Sequence, residues 1–228
     1  MKKLKIGIIG VGRLGYEHAC NIANRVPGSE LVAIADANFD RAKQVAEELG
    51  VTAVYPTAQE LCADPNVEAV AIITNTASHV EMIKIAMDAG KHVFCEKPLA
   101  DTVEKCKEAE AIIAAHPELT FMLGFMRRYD HSYQVAKKKM ENGDIGDVIL
   151  VRCYSQDPIS IIEGTLEYAP RSGGQFIDMS IHDFDLIRWL TGSEVKELWA
   201  TGGCYEFKQY KDWDDGDNVS GLMKMEND

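Results

Sequence analysis

The chain has 228 residues, 46% hydrophobic and 26% charged, which is ordinary for a globular protein and leaves material for one large domain or two modest ones. Against 24 Lys and Arg stand 36 Asp and Glu, so the formal net charge is -12 and no basic field exists to attract nucleic acid or an anionic membrane. Met1-Lys2-Lys3 leads into a run better used as a strand than as a leader, and no stretch approaches the ~20 apolar residues of a spanning helix, so a cytoplasmic location is expected.

Leu4 to Ile9 reads as a buried strand and Arg13 to Arg25 as a helix, with Gly10, Gly12 and Gly15 spaced G-x-G-x-x-G on the turn between them. Gly10 permits the tight turn, Gly12 lets backbone approach a pyrophosphate, and Gly15 lets helix pack on strand. The first N–H groups of the helix, near Arg13 and Leu14, then point at the anion. A second strand, Leu31 to Ala35, ends in Asp36, twenty-one residues after Gly15, where an acid should meet an adenosine ribose hydroxyl. A glycine-rich packing turn beside a solvated Asp is the bland alternative.

Phe39 to Leu49 is a helix stopped by Gly50, Thr52 to Tyr55 a third strand, and Pro56-Thr57 starts a helix through Leu61. Asp64-Pro65-Asn66 breaks the chain before the apolar strand Ala69 to Ile73, which ends at Thr74-Asn75-Thr76. In a doubly wound sheet this loop lies at the switch point where ligands bind. A helix from Ala77 to Ala89, a fifth strand from Lys91 to Cys95, a helix from Thr102 to Ala115 capped by Asp101 or Thr102, and a sixth strand from Leu119 to Leu123 complete a dinucleotide-binding domain over residues 1–125.

Residues 126–228 change character, towards an α+β domain with an open, mainly antiparallel sheet. Tyr129 to Glu141 reads as a linking helix and Asp147 to Ser155, with β-branched alternation, as a strand. Gln156 to Gly174 is irregular, and a loop that long is usually functional or mobile. Gln175 to Leu190 reads as one helix and Val195 to Glu206 as a strand interrupted by Gly202-Gly203. The acidic run Lys211 to Asn218 reads as a solvated loop, and Asn218 to Glu226 as a last strand. That strand has no returning partner after it, so the second domain is expected to lack part of its sheet.

Six cysteines show no C-x-x-C pair and no His at metal-ligand spacing, so they read as reduced, buried thiols and no metal is expected. Asp178, His182 and Asp185 fall at i, i+4 and i+7 on one face of a largely apolar helix. They form either a structural hydrogen-bond cluster or a general base oriented by a carboxylate, since an unperturbed His titrates at roughly 6.5. Lys97, held by Pro98 after the fifth strand, is either a surface lysine or a donor that stabilises alkoxide-like charge on a substrate. Arg127-Arg128 anchors a polar ligand or faces solvent, and His79 touches a cofactor or caps its own loop.

Taken together, Gly10-Val11-Gly12-Arg13-Leu14-Gly15, Asp36, Glu96-Lys97-Pro98-Leu99-Ala100 and the stretch Gly173 to Asp185 resemble the Gfo/Idh/MocA oxidoreductase family. Val93 to Ala100 and Gly124 to Asp130 are most similar to its inositol 2-dehydrogenases. The resemblance implies an NAD-dependent dehydrogenase of a cyclic polyol, inositol first and an aldose or related sugar next, which assembles as a dimer or tetramer when full length. It implies Lys97, Asp178 and His182 as the catalytic group, with the hydride passing to nicotinamide C4. Arg127, Asp157 and Asp185 would lie towards the substrate, and Thr74, Asn75, His79, Glu96 and Lys97 along the cofactor. Asp36 favours NAD over NADP, because a 2′-phosphate would meet its charge. Where inositol dehydrogenases carry a His and an Asn two apart, this chain has Ser155 and Asp157. A non-catalytic nucleotide sensor on the same fold is the rival of another class.

Overall fold

The computed structural model describes residues 2–227 and divides into two compact units, one up to Gly124 and one from Phe125. In the first unit six parallel strands form one sheet in the order β3-β2-β1-β4-β5-β6. They are β1 (Leu4–Ile9), β2 (Ser29–Ala35), β3 (Ala53–Tyr55), β4 (Ala69–Ile72), β5 (His92–Cys95) and β6 (Phe121–Leu123). The chain leaves β1 in one direction through β2 and β3, then returns to β1's other side with β4. The strand ends either side of that reversal open the crevice in which such sheets bind ligands.

Alternation along each strand supplies both faces of the sheet. Ile8, Ile34 and Ala71 pack with Val11, Ala19 and Val45 under α1 (Arg13–Asn24) and α2 (Phe39–Leu49). Their neighbours Ile9, Ala33, Val70 and Ile72 pack on the opposite side with Leu61, Ile83, Met87 and Ala109. Those belong to α3 (Ala58–Ala63), α4 (His79–Asp88) and α5 (Val103–Ala114). Successive side chains point to opposite faces, so the strands are apolar where both faces are covered, with Lys5, Glu30 and His92 confined to the strand starts. Side-chain caps fix where the helices begin: Asn38 accepts from the Arg41 N–H, Thr57 from Glu60 and Thr102 from Lys105.

In the second unit, α6 (His131–Glu141) is capped by Asp130, and β7 (Val195–Gly203) pairs antiparallel with β8 (Asn218–Met225) in a two-stranded ribbon. The expected strand over Asp147 to Ser155 is absent: residues 148–158 carry no regular structure. Its alternating pattern is only half of what a strand needs, because the backbone groups require a partner. Here the segment and β8 both line a wide groove of about 1580 Å³ instead of pairing, and Ile149 is 95% exposed. The stretch read as irregular contains α7 (Ile162–Tyr168).

The expected single helix from Gln175 to Leu190 is divided into α8 (Gln175–Asp178) and α9 (Ile181–Thr191). At the junction the Ser180 N–H reaches back to Gln175, while the His182 and Asp183 N–H groups reach only to Met179 and Ser180. The i→i−4 ladder is thus interrupted without a change of backbone region, since Met179 and Ser180 both keep right-handed helical angles.

The acidic run is a solvated loop only in part: Lys211, Asp212, Asp214 and Asn218 are exposed, but the rest is tied down. A 3₁₀ helix covers Lys208–Trp213, Tyr210 is 2% exposed, and Asp215 accepts from the Gln175 N–H at the start of α8 at 3.1 Å. Asp217 accepts from the N–H groups of Tyr205, Glu206 and Phe207 at 2.7–3.0 Å. Burial opposes its charge, but the three N–H groups prevail and hold its carboxyl down to about 2. A folded-state pKa below the unfolded value of roughly 3.9 contributes stability that is complete above that pH and is lost as pH falls towards 2. Thermal unfolding followed by circular dichroism should therefore show Asp217→Ala melting below the native chain by a margin that narrows between about pH 4 and pH 2. A margin independent of pH would contradict this account of Asp217.

Candidate active site

The glycine turn between β1 and α1 is built by close approach. Gly10 has φ +89°, and a Cβ there would lie 2.6 Å from the Ile73 carbonyl oxygen. At Gly15 a Cβ would lie 2.0 Å from the Gly10 carbonyl oxygen, so only hydrogen lets the helix settle on the turn. Gly12 differs: a Cβ added there meets no protein atom within 4 Å. It is the N-cap of α1, followed by exposed Arg13 and Leu14, and the first N–H groups of a helix have no carbonyl partner within it. Open space in front of unsatisfied donors is what a pyrophosphate requires.

Asp36, at the end of β2, accepts from the Val11 N–H at 2.7 Å and from the Asn38 N–H at 2.7 Å. The acid is therefore tied to the glycine turn itself. Each carboxylate oxygen has a second lone pair and can accept a hydroxyl as well.

At the ends of β4 and β5, Thr74 is half-buried and Asn75 exposed, and the Ser78 hydroxyl donates to Thr74 Oγ1 at 2.8 Å. His79 is 1% exposed; its Nδ1 lies 2.8 Å from the Pro98 carbonyl and its Nε2 3.3 Å from the Thr74 carbonyl. Burial pushes the imidazole below its ordinary value against the pull of the two carbonyls, and a neutral ring protonated on Nδ1 matches the shorter contact. Through that one N–H the ring ties the start of α4 to the Lys97-Pro98 turn, whose peptide bond is cis. Glu96 accepts from His18 Nε2 at 2.9 Å and from the Lys97 N–H at 3.1 Å. Burial alone would raise its carboxyl, but the His18 ring and the Lys97 backbone and charge hold it below the usual value.

In the second unit the two adjacent arginines of a 3₁₀ turn, Met126–Tyr129, each hold an aspartate of α9. Arg127 pairs with Asp183 and donates to Ser155 Oγ at 2.7 Å, and the Ser155 hydroxyl donates to Asp183 at 2.8 Å. Arg128 grips Asp185 bidentately at 2.8 and 2.6 Å, and Asp185 is only 5% exposed. Residues two apart on a helix point about 200° apart, so α9 is held from two sides. His182, the second residue of α9, meets the edge of the Phe125 ring with centroids 6.5 Å apart. Asp178 ends α8 and borders a small hollow together with Asp157, Gln175 and Tyr210. The structure thus gathers Gly10, Gly12, Arg13, Leu14, Gly15 and Asp36 at one corner of the first unit, and Thr74, His79, Glu96 and Lys97 at the next strand ends. Arg127, Asp157, Asp178, His182 and Asp185 belong to the second unit. His18, Ser155 and Asp183 carry contacts at these places that the sequence reading did not assign.

The model of the oxidoreductase family with an NAD-binding Rossmann fold, named for Gfo, Idh and MocA, matches residues 4–125, and that of the family's C-terminal domain matches residues 133–228. The chain belongs to the Gfo/Idh/MocA family. Residues 4–125 are its NAD-binding Rossmann domain. The family member is 40% identical over 206 residues to the myo-inositol 2-dehydrogenase of Thermotoga maritima, covering 87% of this chain and 58% of that one. It is 37% identical over 217 residues to the scyllo-inositol 2-dehydrogenase (NAD(+)) of Bacillus subtilis, covering 93% and 62%. The scyllo-inositol dehydrogenase of Lactobacillus casei, solved with NAD(H) and scyllo-inositol, superimposes with a TM-score of 0.93 at 38% identity over 99% of this chain and 67% of that one. The chain spans about three-fifths of the length of the curated relatives it matches.

Proposed function

We propose that this Gfo/Idh/MocA member is an NAD-dependent dehydrogenase that oxidises a secondary hydroxyl of a cyclic polyol, an inositol first. The observation that carries most weight is the likeness over 99% of the chain to an enzyme solved with both NAD(H) and scyllo-inositol. The open cradle at Gly12 beside the Asp36 carboxylate fits the same dinucleotide. When bound, NAD supplies a hydride acceptor at nicotinamide C4. His182 takes the proton of the hydroxyl as its carbon loses hydride, leaving a ketone, while Lys97 and Asp178 orient and polarise that oxygen. Thr74, Asn75 and Glu96 would lie along the bound cofactor, His79 would act through the Lys97-Pro98 turn it holds, and Asp36 would accept from the adenosine ribose and disfavour a 2′-phosphate. Arg127 and Asp157 face the polyol, and Asp185, gripped by Arg128, organises the pocket.

The test is NADH formation, followed by absorbance, with the chain and a panel of inositol isomers and aldoses. Turnover of at least one inositol, with NADP a much poorer acceptor, is expected. Preference for an aldose would move the substrate within the family, consistent with Ser155 and Asp157 standing where inositol dehydrogenases have His and Asn. Tight NAD binding with no turnover of any polyol or sugar would overturn catalysis and favour a nucleotide sensor.

A further inference from the structure

Lys97 sits in a turn that two histidines hold from two different helices. On one side His18, from α1, donates through Nε2 to Glu96 at 2.9 Å, and the other oxygen of that carboxylate accepts the N–H of Lys97 itself at 3.1 Å. On the other side the Pro98 carbonyl is held by His79, from α4. The Glu96 side chain is 16% exposed and that of His18 26%, so their contact is partly shielded from water. Its surroundings are shaped for it. The His18 ring leans on Phe94 of β5 with centroids 5.6 Å apart, and Gly124 leaves room for the carboxylate, since a Cβ there would come within 3.1 Å of Glu96 Oε2. A half-buried carboxylate that lost this donor would seek another partner. The peptide it now fixes is the one from which the Lys97 side chain departs.

We infer that His18 is a positioning residue for Lys97, acting through Glu96, so that the helix beginning at the nucleotide seat also sets the direction of the lysine. Its position three residues beyond Gly15 means that the glycine turn and the lysine turn share one rigid element, α1. This inference rests on Lys97 acting on the substrate hydroxyl.

Two variants test it in the full chain. His18→Phe keeps a ring against Phe94 and removes the donor, whereas His18→Gln restores an N–H at similar reach. His18→Phe should lower kcat by about tenfold to a hundredfold, the scale of a misplaced reacting group, with KM for NAD and the melting midpoint little changed, and His18→Gln should recover most of the loss. A second readout needs no turnover. With NAD present and no substrate, the rate at which formaldehyde and a borane reductant dimethylate the Lys97 amine, read by peptide mass spectrometry, should change in His18→Phe and revert in His18→Gln. Should Phe at this position prevent folding, His18→Asn, too short to reach Glu96, replaces it. A raised KM for NAD with kcat intact would assign His18 to the cofactor alone and overturn the inference. So would native kinetics and native labelling in every variant. If no polyol or sugar is turned over by the native chain, the dehydrogenase proposal fails on its own, and the labelling rates still decide whether His18 sets Lys97.

Discussion

Replacing His182 by Ala should lower kcat for the polyol by about 10²- to 10⁴-fold, the usual worth of a general base, while NAD affinity stays at the native value. At 1.36 kcal/mol per decade that is roughly 3–5 kcal/mol of transition-state stabilisation. The loss should be local, because other side chains hold α9 in place. Arg127 and Arg128 hold the helix through Asp183 and Asp185, and Leu186 anchors it at 3% exposure. What disappears is the half-buried ring at the edge of Phe125. Steady-state kinetics with a saturating polyol, together with an NAD titration of the same variant, check this. Full activity in His182→Ala would remove the histidine from the mechanism, and a parallel collapse of NAD affinity would show that the substitution had damaged the cofactor seat instead.

Which parts of this site could be read from the sequence follows from the range of the contacts. The glycine turn, the strand before it, the helix after it and Asp36 lie within one stretch of chain, and their spacing is itself the mechanism for binding a dinucleotide. The doubly wound sheet was legible for a related reason: six apolar runs separated by helices leave few ways to bury both faces of a parallel sheet. The second unit was harder. The alternation from Asp147 to Ser155 says which residues could face a core but not whether a partner strand lies beside them, and here they border a groove. The interruption at Met179-Ser180 leaves the apolar pattern almost unbroken, so periodicity alone favours one continuous helix, yet it separates Asp178 from His182 and Asp185. The contacts that the reading missed are long-range: His18 and Glu96 are 78 residues apart, and Arg127 and Asp183 are 56 apart. Two adjacent arginines and two aspartates two apart on a helix stand in the sequence, but nothing in their spacing says that they meet.

The glycines of the turn separate what folds the seat from what fills it, and two substitutions should tell these apart. A methyl at Gly15 would stand 2.0 Å from the Gly10 carbonyl oxygen, a contact with backbone that no side-chain rotation relieves. Either α1 lifts from β1 or the turn deforms, and overpacking of this kind costs about 1–3 kcal/mol or more. Gly15→Ala should therefore lose both melting temperature and NAD affinity. A methyl at Gly12 meets no protein atom within 4 Å, and its backbone, at φ -63°, suits any residue. Gly12→Ala should stay within about 0.5 kcal/mol of native stability, as exposed substitutions do, yet bind NAD at least about tenfold more weakly, a cost of about 1.4 kcal/mol, because the added methyl occupies the approach of the pyrophosphate. Thermal unfolding and a fluorescence titration with NAD measure the two quantities in the same samples. If Gly12→Ala binds NAD like the native chain, the dinucleotide does not cross this turn, and the roles given to Asp36 and to the end of α1 go with it.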